Sequence, residues 1–174
     1  MKHEDFNSLD LPDVLGKVLR FCKESTESAA VHWMSAQGLD RVREANEEEW
    51  RWALYSADMM GRHMLSVPQI DIPEAFKIWQ PVEQLLPKRG AMITPHFLSQ
   101  QGLFVYPVYF EARILGLLVF ERPRQANPVA LLADFQAGVE MASRYILFAY
   151  QHMEAKGMSF VDDLTSLFNQ RFLP

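Results

Sequence analysis

One cysteine, Cys22, stands in 174 residues. A single thiol excludes an internal disulfide and any multi-cysteine zinc or iron–sulfur site, and it suits a reducing compartment such as the cytoplasm. Long apolar runs are scarce too. The stretch 114–120 is the longest in the later half, far short of the ~20 residues a membrane span requires. The start, Met1-Lys-His-Glu-Asp-Phe, turns acidic at once and has no apolar segment of the signal-peptide kind. Basic clusters are equally thin. Lys and Arg number 17 against 22 Asp and Glu, a net charge of −5, so no concentrated basic face exists for a polyanion. Nucleic acid and membrane are therefore excluded as expected partners. Glycines number eight and are isolated, so no Gly-rich phosphate loop forms. His3, His32, His63, His96 and His152 lack metal-ligand spacing. Paired carboxylates and a Ser-His-Asp arrangement are not visible either.

What is present describes one domain with an appendage. Hydrophobic residues make up 49% and charged residues 22%, the balance of a chain that buries a core. Leu11, Val14, Leu15, Val18, Leu19 and Cys22 recur at helical spacing, with Pro12 suited to a first turn, and predict a helix over 11–24. Residues 28–36 read as a strand and 39–44 as its return. Asn46 and Glu49 have capping-box spacing for a helix to about residue 65. Residues 68–73 form a linker. Pro73 opens a short helix carrying Phe76 and Trp79, which Pro81 kinks or breaks. Lys88-Arg89-Gly90 marks a turn, and Pro95 argues against a central strand near 91–98.

Residues 103–110 and 113–121 are the clearest strands, joined by Glu111-Ala112 as a hairpin turn. Both faces of each are apolar, which predicts a sheet covered on both sides. From Pro128 a long helix runs to about residue 160. Leu132, Phe135, Val139, Ala142, Ile146, Ala149, Met153, Lys156 and Phe160 alternate in steps of three and four. Eight of these nine are apolar, so the seam is of coiled-coil type. A second stripe, Leu131, Gly138, Met141, Tyr145 and Phe148, faces elsewhere. The expected fold class is α/β (α+β): a central antiparallel sheet, flanking helices and a long C-terminal signalling helix.

This order of elements, with Ile114-Leu115-Gly116-Leu117-Leu118 in the last hairpin, resembles a GAF domain over roughly residues 9–152. Beyond it, Asp162, Leu164, Thr165, Leu167, Asn169, Arg171 and Phe172 match the D-x-L-T-G-L-x-N-R-R-[YF] opening of a GGDEF (diguanylate cyclase) domain. Ser166 and Gln170 depart from it. The resemblance divides the chain into a GAF-like sensory domain (1–152), a signalling-helix linker (153–161) and the start of a GGDEF domain (162–174). It implies bacterial signal transduction through cyclic di-GMP, with Asn169 at the guanine-contacting position. The chain ends before any metal-binding Asp or G-G-[DE]-E-F loop. Phosphoryl transfer needs both metal and positioned phosphates, so this chain is expected to regulate rather than catalyse.

The GAF resemblance also implies a ligand chamber between the sheet and the intervening helices. Trp50, Tyr55, Met59, Arg62, Trp79, His96 and Tyr106 are its candidate lining. Apolar composition is shared by pockets and filled cores, so both readings stay open. Bilin, haem and cyclic GMP are disfavoured: the cysteine–histidine chromophore attachment and the N-K-F-D-E set are missing, and no cofactor is required. Cys22, on an apolar stripe, reads as a buried hydrophobe rather than a redox centre. The expected partner is a second copy, through the N- and C-terminal helices, with Val139, Ala142, Ile146, Ala149 and Met153 as the dimer seam. A small molecule or protein supplies the signal. The alternative is a ligand-free dimerisation or docking module, alone or feeding a degenerate GGDEF domain.

Overall fold

The first helix, α1 (Leu11–Thr26), forms where the apolar spacing predicts it. The side chain of Asp10 accepts a hydrogen bond from the Asp13 amide, and Glu27 in the left-handed conformation ends the helix. Its stripe of Val14, Leu15, Val18, Leu19 and Cys22 is wholly buried. The computed structural model describes residues 1–36, 64–85 and 93–160. Within them lie β1 (Ala30–Ser35), β2 (Met64–Val67), α2 (Ile72–Glu83), β3 (His96–Leu98), β4 (Leu103–Phe110), β5 (Arg113–Glu121) and α3 (Pro128–Phe160). The expected return strand at 39–44, the helix from 46 to 63, the turn at 88–90 and the motif at 162–172 lie outside the described residues.

The strands form one antiparallel sheet in the order β2-β1-β5-β4-β3. The fold is thus mixed α/β, with both sheet faces covered as the apolar strands predict. On one face Val31, Trp33, Phe104, Tyr106, Leu118 and Phe120 pack with α1 and α3. On the other, Met34, Met64, Leu103, Val105, Leu117 and Val119 pack with Ala75, Ile78, Trp79 and Val82 of α2. The strand alternation assigns successive residues to opposite faces.

Two expected elements differ. Residues 64 and 65, expected to end a helix, are strand instead, as the start of β2 (Met64–Val67). Its four residues pair with Val31–Met34, and that non-local ladder outweighs the local helical expectation at Met64. Pro81 does not break its helix at once. α2 continues through it and ends two residues later, at Glu83.

The third helix has 33 residues, about 50 Å at 1.5 Å per residue. Leu131, Phe135, Val139, Ala142, Ile146 and Ala149 are all buried inside the chain. Phe135 meets Phe104, Tyr106 and Phe120 at ring separations of 6.3, 5.0 and 4.6 Å. Burying one such side chain stabilises by about 1.5–3 kcal/mol. Val139, Ala142, Ile146 and Ala149 therefore do not form the exposed dimer seam expected of them, and Met153 packs half-buried against the same cluster. The three-four spacing is that of a helix lying on a sheet as much as of a coiled coil. Part of the second stripe is also engaged at home. Gly138 faces the Phe21 ring of α1, and Tyr145 stacks on Phe6 at 4.6 Å.

The tightest junction is at Gly116. A Cβ there would stand 2.5 Å from both the Met34 carbonyl oxygen and the Trp33 ring. The same indole donates from Nε1 to the Tyr150 hydroxyl at 2.8 Å, tying β1 to α3. A Gly116→Ala substitution is expected to destabilise the chain by about 2 kcal/mol or more, since backbone and a fully buried indole must both give way. Urea unfolding monitored by circular dichroism measures it, and a loss under about 0.5 kcal/mol, the size of a surface change, refutes it.

Candidate functional site

The α2 face of the sheet carries a polar line in an apolar floor. His32 is fully buried in the middle of β1. Strand pairing places it opposite Ser66 of β2 and Val119 of β5, and Glu121 is its diagonal neighbour on the same face. The imidazole Nδ1 lies 2.7 Å from Ser66 Oγ and Nε2 lies 3.1 Å from Glu121 Oε2. Three adjacent strands are thus joined by one imidazole. Glu121 is held below its ordinary pKa, chiefly by the hydrogen bond from His32, with partial burial opposing it and Arg122 adding a smaller charge effect. A carboxylate kept ionised at Nε2 makes that nitrogen the donor. Nδ1 of a neutral ring then accepts the Ser66 hydroxyl proton.

The order of atoms separates this line from a hydrolase triad. There, the hydroxyl meets Nε2 and the acid meets Nδ1; here the two are reversed, and the ring has no exposed edge. The arrangement can orient the Ser66 hydroxyl and hold a negative charge at the sheet's margin. Around it the floor is apolar: Met34, Met64, Val105, Leu117 and Val119, with Trp79 of α2 buried against it. Sequence spacing alone did not mark His32, because its partners are 34 and 89 residues away. The available signal was a histidine in the centre of an otherwise apolar strand, where burial obliges it to find polar partners.

Of the expected chamber residues, Trp79 lies on this face and is buried. His96 is exposed on the edge strand, opposite Val105. Tyr106 does not point into the chamber. It pairs with Leu118, one step from the floor residues Val105 and Val119, so it faces α3 and meets Phe135 edge-on. Burial raises its phenol pKa, against a lowering hydrogen bond from Gln136. Trp50, Tyr55, Met59 and Arg62 lie outside the described residues. The three chamber candidates that are described are therefore not brought together.

Cys22 is fully buried in α1, and desolvation pushes its pKa well above the ordinary thiol value. It stays in the protonated, poorly nucleophilic form. Among the described residues no group of three His, Cys, Asp or Glu side chains converges as a metal site. None of the described helices is long and apolar enough to cross a membrane.

The depressed Glu121 pKa sets a pH signature. Its contribution to stability is present in full above the usual glutamate value of 4.5 and is lost as pH falls through the lower folded-state value. Glu121→Gln keeps an acceptor but removes the charge. The wild type is expected to be the more stable at neutral pH, with the difference shrinking in the acid range below 4.5. Paired urea titrations across that range check this, and parallel profiles for the two proteins contradict it.

Comparison with known families, with curated proteins and with solved structures finds no match for this chain.

Proposed function

We propose that this chain is a GAF-type sensory module of a cytoplasmic signalling protein, governing a GGDEF output domain through a dimeric helix. The observation that carries the reading is the double role of α3. Through Tyr150 it is a wall of the core. Past that point Gln151 and residues 154–156 are exposed while the helix continues. A rigid element that is packed at one end and leads out at the other transmits displacement. It leads toward Asp162, Leu164, Thr165, Leu167, Asn169 and Arg171, the residues that resemble the GGDEF opening. The antiparallel sheet, with α1 and α3 on one face and α2 on the other, supports the GAF reading.

The inward stripe of α3 is occupied within the protomer, so the dimer contact in this reading uses the outward one. Ala137, Met141, Arg144, Phe148, Gln151 and Ala155 recur in steps of four and three, and Phe148 is 45% exposed. A ligand would act on such a pair only through different affinities for its two helix arrangements. The docking-module alternative draws on the α2 face: Trp79 and Val82 fill the space over the floor, leaving the described part of that face as solid core. Native mass spectrometry of the purified chain separates the two readings, a retained small molecule favouring the sensor.

Two measurements test the relay. In a chimera joining this chain at Asp162 to an active cyclase domain, a two-residue insertion after Ala155 rotates the cyclase by about 200° about the helix axis. A seven-residue insertion returns it to within about 20° of phase. Cyclic di-GMP production is expected to change several-fold with the first and recover with the second; indifference to both defeats the proposal. Sedimentation of the chain itself is expected to show a dimer that Phe148→Glu converts to a monomer. A wild-type monomer at tens of micromolar removes the dimeric part.

A further inference from the structure

A concavity lies on the opposite side of the sheet from His32, where β1 ends, β5 begins and α3 passes over both. It has a volume of about 220 Å³ and is lined by Ser35, Arg113, Ile114, Leu115, Leu147 and Tyr150, with Ala36 at its margin. Its origin is an irregularity in the sheet. Val108 pairs with Gly116 while Tyr109 pairs with Ile114, so Leu115 is an extra residue on β5. Such a bulge bends its strand and re-aims a side chain. Leu115 accordingly joins Gly116 on the α3 face, where it is buried. β1 makes its last pair, Ser35 with Gly116, at that same point. The ladder therefore opens just where α3 crosses it.

The lining is chemically graded. At the inner end the Tyr150 hydroxyl is hydrogen-bonded to Trp33 Nε1 and to Ser35, and both Ser35 and Tyr150 are buried. Ile114, Leu115 and Leu147 supply apolar walls. The Arg113 side chain stands exposed at the rim, and among the described residues the lining contains no carboxylate. The described lining is thus positive at its rim, apolar in its body and hydroxylic at its floor. A guanidinium at a rim recognises a carboxylate through charge-assisted, bidentate hydrogen bonds. The volume corresponds to about seven waters, below the range of drug-sized pockets, which limits the occupant to a compact molecule.

We propose that this groove binds a small carboxylate with a compact apolar body, of the size of benzoate, its carboxylate on Arg113 and its ring against Leu115 and Leu147. Leu147 and Tyr150 belong to α3, so an occupant bridges β5 and the helix that leaves the domain. The site lies on the other face from the His32 line, and its existence does not depend on the sensory reading.

The test uses the 174-residue chain, isotope-labelled and titrated with sodium benzoate, with benzyl alcohol as the uncharged counterpart. Amide signals of Arg113, Leu115, Leu147 and Tyr150 are expected to shift saturably. Arg113→Gln, at an exposed strand end where folding is not at risk, is expected to weaken benzoate about tenfold, the scale of one charged hydrogen bond, and to leave benzyl alcohol unaffected. Leu147→Trp, which fills the groove while keeping the arginine, is expected to abolish both responses; its amide spectrum reports independently whether it is folded. Three results overturn the proposal. One is no saturable shift up to about 10 mM, ten times what half-fills a millimolar site. Another is equal affinity for benzoate in Arg113→Gln. The third is shifts confined to the His32 face.

Discussion

The indole of Trp33 is the contact on which the rest of the structure depends. It lies against Gly116, which must lack a side chain for β1 and β5 to carry it. Its Nε1 reaches the Tyr150 hydroxyl, 117 residues away along the chain. One side chain thus fixes the spacing between the central strand pair and the position of the last helix along the sheet. An indole buried with its N–H unpaired would lose stability on the order of 1–3 kcal/mol. The Tyr150 hydroxyl, deep in the same core, removes that cost and receives the same protection.

From that junction the two faces of the sheet diverge. The α3 face is built on aromatic contact: Phe104, Phe120 and Phe135 interlock, and Tyr106 meets Phe135 edge-on. Such pairs add about 0.5–1.5 kcal/mol beyond their area. This face leaves space at the bulge beside Leu115. The α2 face is aliphatic and thioether-rich, with His32 tying three strands together from within. Met side chains adapt to irregular neighbours more readily than packed rings do.

The N-terminal residues add a second clamp on α3. Phe6 stacks on Tyr145, the Tyr145 hydroxyl and Arg144 both reach His3 Nδ1 at 2.8 Å, and Lys17 Nζ donates to the Asp5 carbonyl at 2.7 Å. With Gly138 against Phe21, α3 is held by the sheet, by α1 and by the leading segment. It is gripped on three sides before residues 154–156 become exposed.

Much of this was legible in the sequence. The stripe of α1, the hairpin at 103–121 and the long last helix follow from periodicity and turn position, which are local properties of the chain. The apolar residues on both faces of β4 and β5 show that the sheet is covered on both sides. They do not say which cover takes which parity, and so Tyr106 falls on the α3 side rather than in the chamber. The three-four spacing of Val139, Ala142, Ile146 and Ala149 is equally ambiguous. Sheet contact and helix pairing demand the same repeat, and only the position of α3 over Phe104 and Phe120 decides between them. Met64–Val67 becomes strand because β1 offers it a ladder, and His32 acquires Ser66 and Glu121 because strand register brings them beside it. Composition and spacing therefore determined α1, the hairpin, α3 and the burial of Cys22. The assignment of faces, the polar line and the groove at the bulge were decided by pairing across long sequence separations, which no local pattern encodes.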